Sequence, residues 1–444
     1  MVLPNYVNQC IQRLEAQGFS AYAVGGCVRD ALLGLTPHDY DLCTDATPDQ
    51  LQQVFADHRL VLAGEKHGTV TVIIDHIPVE ITTFRTEGGY RDHRHPDWVR
   101  FETNIEADLS RRDFTVNAIA YSPTRGLADP FGGKADLEKK ILRAVGQPDR
   151  RFTEDALRIL RGVRFAVRFG LTPENNTLHA MEQLAPLMDS LARERVFSEL
   201  CKLLPLINAV QLQQYAPVLT QVIPELKPLL GFDQHSPHHA YDVYAHTAHV
   251  VENTPAELTL RWAALLHDAG KPASFYRDEN GRGHFPDHAS LGAAIADGVL
   301  LRLKAPTALR RQVTELIRLH MTPLEPDKRL LRRRLGKLGQ DMLQLLLQLQ
   351  EADMCSKGTG VPEELSQFSA IRQVLDEVLA EAACLKLSDL AVNGNDLMAL
   401  GLEGKQIGTC LAYLLEQVQS DSLPNEKSAL LQAAKEYFRI MHNS

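Results

Sequence analysis

A glycine turn between two short apolar runs, within residues 21–45, constrains the fold of this chain more than any other feature. The stretch reads AYAVGGCVRDALLGLTPHDYDLCTD. Residues 21–24 form an apolar run typical of a strand, and Gly25 and Gly26 permit a sharp turn and a close approach of the backbone to a ligand. Residues 28–33 continue as a helix, whose free N–H groups can bind phosphate. The pattern therefore predicts a strand, a phosphate-binding turn, a helix and a second strand.

Two aspartates follow on the second predicted strand. Asp39 and Asp41 are two residues apart, and side chains at that spacing point to one face of a strand. Carboxylates beside a phosphate-binding turn indicate a divalent metal site for phosphoryl or nucleotidyl transfer. The alternative is a solvated strand edge with two unrelated aspartates. The alternating runs 68–75 and 77–84 predict a hairpin, on which Glu80 is either a third acidic ligand or an outward-facing glutamate.

The composition is that of a globular protein. The 444 residues are 44% hydrophobic and 23% charged, and this length predicts about three domains. The net charge is −9, so any contact with nucleic acid depends on local basic patches. Seven scattered cysteines without a C-x-x-C pair indicate a reducing compartment and no structural zinc. The N-terminus lacks the pattern of a signal peptide, and no apolar run reaches the ~18 residues of a membrane helix. We therefore expect a cytoplasmic protein without membrane contact.

A second candidate phosphate-binding segment is 108–118, DLSRRDFTVNA. Ser110 is expected to begin a helix there, because serine is a favoured N-cap. Arg111 and Arg112 could hold a triphosphate, since arginine makes forked contacts to phosphate oxygens. A pair of arginines is also common on a solvated helix face, which is the alternative.

Two glycine-rich segments flank this one. Residues 87–96 have no periodicity and predict a mobile loop. Residues 129–137, DPFGGKADL, predict a turn that is either a hinge closing on substrate or a simple connection.

From Thr153, the expected N-cap, the sequence becomes predominantly helical. Asp155, Arg158 and Arg161 are three residues apart in turn, so they should share one helix face. An aspartate beside an arginine could pair with the edge of a base; an ordinary salt bridge on a basic surface is the alternative. Residues 193–200, RERVFSEL, predict another helix whose charged residues pair with one another.

Histidines concentrate in the middle of the chain, where eight of the 17 lie between positions 235 and 288. The adjacent pair His267 and Asp268 follows an apolar helical run. Neutral imidazoles and carboxylates suit transition metals, and a helical bundle can bring separated ligands together. A single histidine is usually a core or surface residue, but this pattern is more specific. The candidate ligands are His246, His267, Asp268 and Asp353, with His288 and His320 as further candidates.

The most basic region lies at 309–337. On an acidic protein, such a cluster is a candidate contact to an RNA backbone, although a solvated helix face is the alternative. The candidate RNA-binding residues are Arg329, Arg332, Arg333 and Arg334.

Several of these segments, in this order, resemble the motifs of class II tRNA nucleotidyltransferases, the CCA-adding enzymes of the DNA polymerase beta-like nucleotidyltransferase superfamily. They are GGCVRD (25–30), DYD (39–41), RRDFTVNA (111–118), EDALR (154–158) and RERVFSEL (193–200). The resemblance implies an α+β protein with a mixed-sheet nucleotidyltransferase head and three all-α parts. The expected bounds are 1–146 for the head, 147–208 for a neck with the nucleotide template, 209–375 for a body with an HD domain, and 376–444 for a tRNA-binding tail.

The resemblance also implies a role for each motif residue. Asp39 and Asp41 would bind catalytic Mg²⁺. The expected nucleotide-binding residues are Gly25, Gly26, Arg29, Arg111, Arg112, Asp155, Arg158 and Arg161, of which Asp155 and Arg158 would pair with the base of CTP or ATP. Residues 129–137 resemble the flexible motif that re-orients this template, and Glu194 and Arg195 would support it.

The histidine pattern resembles the HD domain of many bacterial members, which implies a second divalent transition metal and a possible phosphohydrolase activity. The implied partners are the tRNA 3′ end, CTP and ATP; nothing indicates the oligomeric state. The segment 64–70, GEKHGTV, favours the CCA-adding form over a poly(A) polymerase. A CC-adding or A-adding enzyme stays open, because all of these enzymes share the template motif. A non-catalytic RNA-binding protein is disfavoured by the complete set of motif residues.

Overall fold

The computed structural model describes residues 1–89, 98–236, 240–358, 362–381 and 386–442. The chain divides into two compact units. The first comprises Met1–Pro224 with Arg302–Lys304, and the second comprises Glu225–Leu301 with Ala305–Ser444.

The N-terminal part of the first unit is a mixed α and β structure. Its elements are α1 (Asn5–Ala16), β1 (Ala21–Val24), α2 (Gly26–Leu32), β2 (Leu42–Thr44), α3 (Pro48–Val54), β3 (Arg59–Val61), β4 (Thr69–Ile74), β5 (Ile77–Thr83), β6 (Arg85–Gly88), β7 (Trp98–Phe101), α4 (Ile105–Ser110), β8 (Ala120–Ser122), β9 (Gly126–Ala128), α5 (Gly133–Glu138) and β10 (Ile141–Leu142).

Seven of these strands form one sheet, in the order β3-β4-β5-β2-β1-β8-β9. Strands β2 and β5 are parallel and the other neighbours are antiparallel, so the sheet is mixed. Strand β4 alternates because Val70, Val72 and Ile74 point into the core. The predicted hairpin is confirmed: Asp75 and His76 both have positive φ angles, 49° and 67°, as a two-residue hairpin turn of the right twist requires.

The second strand is shorter than the sequence predicted. It begins at Leu42, so Asp39 and Asp41 lie in the segment that precedes it. The Val24 N–H donates to the Asp41 carbonyl oxygen at 3.0 Å, which keeps Asp41 beside the end of β1. The side chains are thus placed by a loop joined to the sheet, and strand periodicity does not decide their direction.

The helical remainder of the first unit consists of α6 (Pro148–Glu154), α7 (Leu157–Phe169), α8 (Asn175–Gln183), α9 (Arg193–Leu203), α10 (Ala209–Gln214) and α11 (Ala216–Val222), with the two-residue strand β11 (Thr172–Pro173). Two predicted helix starts are wrong. Ser110 ends α4, whose N-cap is Asn104. Thr153 lies in the last turn of α6, because Pro148 already begins a helix there.

The second unit is almost entirely helical. Its elements are α12 (Val243–Asn253), α13 (Leu258–Leu266), α14 (Lys271–Ser274), β12 (Tyr276–Arg277), β13 (Gly283–His284), α15 (His288–Arg302), α16 (Thr307–Leu319), α17 (Lys328–Leu338), α18 (Gln340–Cys355), α19 (Pro362–Ala380), α20 (Gly394–Met398), α21 (Lys405–Gln419) and α22 (Lys427–His442). Helix α13 packs on α12, α16 and α18, and its Trp262 is fully buried. The C-terminal helices have a separate small core that includes Leu397, Leu414 and Leu430.

The predicted fold class is confirmed at this level: a sheet-containing head precedes a helical remainder. The expected bounds at 146, 208 and 375 stay predictions. Among the described residues, no helix combines the length and apolarity needed to cross a bilayer.

Candidate active site and metal centre

The glycine turn between β1 and α2 brings the backbone close to an arginine. Gly25 has a φ of +78°, which favours glycine. A Cβ atom built there would lie 2.8 Å from the NH1 atom of Arg112 and 3.6 Å from the Asn117 carbonyl oxygen. Any side chain would therefore displace the Arg112 guanidinium. The Gly25 N–H itself donates to the Ile119 carbonyl oxygen, so this turn contributes close approach rather than a free donor from Gly25.

The acidic residues lie next to this turn. Asp39, Asp41 and Glu80 are all exposed, and β5, which carries Glu80, runs parallel to β2. Partial desolvation raises the pKa of Asp41, and the charges of Glu80 and Asp39 raise it further, while Arg112 opposes them. Three mutually repelling carboxylates beside an open surface are a donor set that a divalent cation would satisfy. The structure thus brings Glu80 to the acidic pair.

The two arginines of RRDFTVNA differ in their partners. Arg111 is held by Asp108 at 2.8 Å and by Glu87 at 3.2 Å. Arg112 has only a longer contact to Asp108, 3.4 Å, and its buried Nε has no hydrogen-bond partner among the described residues. Because an unpaired buried donor is costly, Arg112 fits an anionic ligand that would complete its bonds.

Arg29 forms part of the pocket wall. Its Nε and NH2 donate to Asp30 Oδ1 at 2.8 and 2.6 Å, and NH1 donates to Asn117 Oδ1 at 2.5 Å. The guanidinium also lies over the rings of Phe165 and Phe169, 5.3 and 4.2 Å from their centroids. This burial lowers the pKa of Arg29, although Asp30 opposes the effect.

A break between helices α6 and α7 positions Asp155. The backbone there is extended, with φ −140° and ψ 101°, so Asp155 precedes α7 and does not share its face, contrary to the prediction. Asp155 Oδ1 accepts from the Leu157 N–H at 3.1 Å, and Oδ2 accepts from Arg195 NH2 at 2.9 Å. The second contact joins the break to α9. Arg195 NH1 is buried without a hydrogen-bond partner in the described part of the chain.

Arg158 is fixed by three acceptors. It donates to Glu154 Oε2 at 3.0 Å and to the carbonyl oxygens of Arg151 and Arg111 at 3.1 and 2.8 Å. Its guanidinium is therefore held in one orientation before any ligand binds, and it connects the 154–158 motif to the 111–118 motif.

Arg161 makes a forked ion pair with Asp113, through Nε at 2.9 Å and NH2 at 2.8 Å. Burial opposes ionisation of Asp113, but Arg161 and the Asn117 side chain together lower its pKa to about 2. The predicted internal pairing of 193–200 is wrong, because Arg195 contacts Asp155 and the buried Glu199 contacts Arg164 at 2.6 Å. Nothing in the local sequence marks these partners.

Most of the motif residues line one pocket of about 490 Å³, to which Asp41 belongs but Asp39 and Glu80 do not. Arginines predominate in its wall, which suits a polyphosphate. The lining residues are Gly25, Gly26, Arg29, Asp41, Arg111, Arg112, Asp113, Asn117, Asp155, Leu157, Arg158, Arg161, Arg164, Phe165, Arg168 and Arg195.

The segment predicted as a hinge at 129–137 is largely helical and closely packed. Asp129 accepts from the N–H groups of Gly133 and Lys134 at 2.7 and 2.9 Å and so caps α5. A Cβ atom on Gly133 would lie 2.1 Å from the Thr115 carbonyl oxygen. Its proposed movement stays a prediction, and residues 90–97 of the other predicted loop lie outside the described residues.

The second unit gathers the predicted histidines in its interior. Each of four imidazoles has its Nδ1 next to a backbone carbonyl oxygen. The pairs are His246 with Ser356 (3.2 Å), His267 with Ala264 (2.8 Å), His288 with Phe285 (2.7 Å) and His320 with Ile317 (2.6 Å). Because a carbonyl oxygen only accepts, each Nδ1 donates, and the neutral ring directs an Nε2 lone pair to the opposite side. Metal-binding histidines are oriented in this way.

The Nε2 atoms converge on two carboxylates. Asp268 Oδ2 lies 3.6 Å from His246 Nε2 and 3.2 Å from His267 Nε2. Asp353 Oδ1 lies 2.9 Å from His246 Nε2 and 3.9 Å from His267 Nε2. The residues that the sequence predicted as ligands are thus together, and His246, His267 and Asp268 are at most 1% exposed.

Lys271 partly offsets the two negative charges of this cluster. Its Nζ lies 2.7 Å from Asp268 Oδ2 and 2.8 Å from Gln234 Oε1. Burial alone would raise the pKa of Asp268, but His267 and Lys271 hold it well below the usual range. Conversely, burial opposes protonation of His267, yet Asp268 raises the pKa of this imidazole. Burial lowers the pKa of His320 to about 4, so that ring is a neutral donor at neutral pH.

Relatives of known name extend over nearly the whole chain. It is 34% identical over 436 residues to the CCA-adding enzyme of Latilactobacillus sakei subsp. sakei, covering 96% of each chain. It is 33% identical to the CCA-adding enzyme of Enterococcus faecalis, covering 96% of this chain and 94% of the other. The chain belongs to the family of CCA-adding enzymes. These enzymes are tRNA nucleotidyltransferases.

Solved structures of CCA-adding enzymes have the same fold. The Bacillus stearothermophilus enzyme in complex with CTP matches with a TM-score of 0.72 and 27% identity over 100% of both chains. The Thermotoga maritima enzyme complexed with tRNA_CCA matches with a TM-score of 0.57 and 19% identity, over 98% of this chain and 96% of that one, which supports the fold alone.

Three family models match separate parts of this CCA-adding family member. Residues 21–143 match the poly A polymerase head domain, residues 170–230 match the RNA and SrmB-binding site of polymerase A, and residues 286–434 match tRNA nucleotidyltransferase domain 2.

The basic residues of α17 lie within this last range, and one of them is not at the surface. Arg332 is 8% exposed and pairs with Glu381 and Asp421, each at 2.7 Å. Its guanidinium therefore stabilises the helical unit, which corrects its assignment to RNA binding. Arg329 donates to the Ser420 carbonyl oxygen. The prediction of RNA contact remains for Arg329, Arg333 and Arg334.

Proposed function

We propose that this chain adds the CCA sequence to the 3′ end of tRNA, using CTP and ATP without a nucleic-acid template. The observation that carries the proposal is the single arginine-rich pocket in which the glycine turn, Asp41 and the oriented pair Asp155 and Arg158 meet. The full-length relatives named CCA-adding enzymes support the same reaction.

The acidic residues Asp39, Asp41 and Glu80 would hold divalent cations, which we assign as Mg²⁺ because carboxylates and phosphate oxygens are its preferred ligands. When bound, such cations stabilise the attacking and leaving oxygens of an in-line displacement. Arg112 would donate its unpaired Nε–H to the triphosphate, beside a turn that lacks a Cβ atom. The tRNA 3′ hydroxyl then forms a bond to the α-phosphorus, and the bond to pyrophosphate breaks.

Asp155 and Arg158 would select the base. Cytosine and adenine both present an amino donor beside a ring-nitrogen acceptor, whereas uracil and guanine present the opposite order. A carboxylate only accepts and a guanidinium only donates, so this pair complements the first two bases. Arg195 and Glu154 already orient the two side chains, which reduces the cost of ordering them on binding.

Nucleotide incorporation into a tRNA that lacks its CCA end tests the proposal. CTP with ATP should give C, C and A, and Asp39→Ala/Asp41→Ala should give no product. Arrest after CC, or addition of A only to a tRNA that already ends in CC, would reassign the chain to a partial enzyme. A long A tail from ATP alone would reassign it to a poly(A) polymerase. The cytoplasm is the location we assign, because its tRNA pool is the substrate.

A second activity is favoured by the histidine–aspartate cluster. We assign to His246, His267, Asp268 and Asp353 a divalent transition metal, because two imidazoles already oriented by backbone carbonyl oxygens and two carboxylates suit such a cation. The activity that fits a metal beside the Lys271 ammonium is hydrolysis of a phosphate ester, as in an HD domain. Hydrolysis of p-nitrophenyl phosphate and of 2′,3′-cyclic nucleotides by the Asp39→Ala/Asp41→Ala chain, with and without Mn²⁺, tests it. Turnover that Mn²⁺ does not increase, or that His267→Asn retains, would refute it.

A further inference from the structure

We propose that Arg168 binds the β- and γ-phosphates of the incoming nucleotide, the part that leaves as pyrophosphate. This inference rests on the proposed function and adds a binding residue that lies outside the motifs quoted above. Arg168 is in the last turn of α7, and its side chain is exposed at the wall of the arginine-rich pocket. The proposal rests on its charge, its place along the helix and its support by an aromatic ring.

Arg168 differs from the other arginines of the pocket in having no acidic partner. Eight arginines line the pocket, and seven of them have a carboxylate oxygen at most 3.4 Å away. The pairs are Arg29 with Asp30, Arg111 and Arg112 with Asp108, Arg158 with Glu154, Arg161 with Asp113, Arg164 with Glu199, and Arg195 with Asp155. Within the described part of the chain, the Arg168 guanidinium makes no hydrogen bond and no ion pair. A paired guanidinium offers a triphosphate little net charge, whereas Arg168 offers a whole positive charge.

The position of Arg168 along α7 matches the phosphate end of a bound nucleotide. Arg158, which would pair with the base, is in the first turn of this helix, and Arg168 follows ten residues later. At about 1.5 Å per residue, the two positions are roughly 15 Å apart along the helix axis. The glycine turn lies at the Arg168 end, because the guanidinium of Arg29 contacts both elements. Its NH2 atom would lie 3.7 Å from a Cβ atom on Gly26, and its guanidinium carbon lies 4.2 Å from the ring centroid of Phe169. A nucleotide extended along α7 therefore has its base at Arg158 and its terminal phosphates at Arg168.

An aromatic ring holds the Arg168 guanidinium near a second arginine. Its guanidinium carbon lies 5.0 Å from the ring centroid of Phe169, the ring that Arg29 also contacts. Such a contact is favourable for a guanidinium and leaves its N–H donors free. Burial lowers the pKa of Arg29, Asp30 opposes this effect, and the charge of Arg168 lowers the pKa further, so the two cations repel each other. An anion bound at Arg168 removes this repulsion, and the free donors can contact two phosphate oxygens at once.

In the reaction, Arg168 stabilises the leaving group. The tRNA 3′ hydroxyl forms a bond to the α-phosphorus and loses its proton to solvent. The bond from that phosphorus to the bridging oxygen breaks, and its electron pair stays on pyrophosphate. Negative charge therefore grows on the β-phosphate, to which Arg168 donates. Since the Arg168 side chain is exposed, it also lies on the side from which pyrophosphate reaches solvent.

Pyrophosphate and cytidine 5′-monophosphate (CMP) test the proposal, because the first is the leaving group alone and the second lacks it. Calorimetry with the full chain and Mg²⁺ measures the binding of each compound. Steady-state addition of CTP to a tRNA that lacks CCA measures KM for both substrates. Arg168→Met should weaken pyrophosphate binding about tenfold, which corresponds to one hydrogen bond to a charged group, and should raise KM for CTP by a similar factor. The binding of CMP and KM for tRNA should not change.

Two further variants separate the position of the guanidinium from its charge. Arg168→Lys keeps the charge without the forked donors and should recover part of the loss. Arg59→Met is the matched control, since Arg59 is an exposed arginine on β3 that does not line this pocket; it should bind pyrophosphate as the parent chain does. All three variants replace exposed side chains, so they should keep the melting temperature of the parent chain. An equal loss in Arg59→Met would overturn the proposal, because net charge would then explain the effect.

Three other results would overturn the proposal. A raised KM for tRNA with unchanged pyrophosphate binding would assign Arg168 to a phosphodiester of the tRNA. Equal losses for CMP and pyrophosphate would assign it to the α-phosphate. A parent chain that binds CTP but not pyrophosphate would leave no site for the separate leaving group. A parent chain that adds no nucleotide would refute the proposed function, and the calorimetric comparison would still decide the role of Arg168, so the two failures are distinguishable.

Discussion

Replacing Arg195 by Met should slow nucleotide addition without loosening the fold. Arg195 NH2 donates to Asp155 Oδ2 at 2.9 Å, and the two side chains are only 26% and 19% exposed. A hydrogen bond between charged groups in such a setting contributes about 1.5–3 kcal/mol. If about 2 kcal/mol of this orients Asp155 in the transition state, the loss in kcat/KM is about 30-fold, at 1.36 kcal/mol per factor of ten.

Two single-turnover reactions measure the effect: incorporation of CTP into tRNA that lacks CCA, and incorporation of ATP into tRNA that ends in CC. Because Arg195 acts through Asp155, discrimination against UTP should fall together with kcat/KM. Arg195→Lys should recover only part of the loss, since lysine cannot reproduce the forked guanidinium. Arg193→Met is the control, because Arg193 lies on the same helix but donates to the Asp189 carbonyl oxygen.

Three results would refute this reasoning. The first is an Arg195→Met chain with unchanged discrimination and kcat/KM. The second is an equal loss in Arg193→Met, which would mean that the charge of α9 matters rather than its contact with Asp155. The third is a loss that follows a lowered melting temperature, which would mean that the packing of α9 matters.

Three further substitutions give separate tests. Gly25→Ala should abolish most nucleotide incorporation, because its Cβ displaces the Arg112 guanidinium. The control is Gly126→Ala, which has a similar φ of +76° but no atom within 4 Å of the new Cβ; it should lower the free energy of unfolding by about 1–3 kcal/mol and keep activity. Equal activity in the two variants would contradict this prediction. Asp113→Asn should lower the free energy of unfolding by about 2 kcal/mol above pH 4, because the carboxyl has a pKa of about 2 in the fold and therefore stabilises the fold at any pH above its pKa in the unfolded chain. Urea unfolding of the two chains should show this difference fade between pH 4 and 2. A difference that stays constant with pH would contradict the prediction. In the chain freed of metal by a chelator, Lys271→Met should lower the free energy of unfolding by about 3 kcal/mol, because it leaves the Asp268 carboxylate buried without its ammonium partner. Thermal melts should show that Mn²⁺ restores much of this stability. An equal loss with and without Mn²⁺ would argue against a cation at this site.

Local patterns predicted the parts of the fold that depend on local interactions. The hairpin of β4 and β5 followed from alternation and a two-residue turn, and the strand–turn–helix at 21–32 followed from its glycines. The start at Ser110 was wrong because Asn104, six residues earlier, caps α4 by accepting from the Glu106 N–H. Sequence near Asp155 gave no sign of the break between α6 and α7, because a donor on α9, Arg195, forty residues away, helps to hold it.

The same distinction applies to the candidate sites. Residue types that carry chemistry were identifiable from the sequence, and the structure brings His246, His267, Asp268 and Asp353 together as predicted. Which basic residues face solvent was not identifiable. Arg332 and Arg333 are adjacent in the same helix, yet one is buried against Glu381 and the other is exposed. Their difference arises from the packing of α17 on α19 and α21, which no local pattern encodes.

The donor sets of the two candidate sites argue for different cations in one chain. The head offers exposed carboxylates and space for phosphate oxygens, which suits Mg²⁺ because that ion keeps several waters and takes few protein ligands. The helical unit offers buried imidazoles with fixed tautomers, which bind transition metals much more strongly than Mg²⁺. A hard cation would not easily replace the water that it loses on entering this buried site, and a softer cation gains little from exposed carboxylates. We therefore expect the two sites to be filled independently from the same solution.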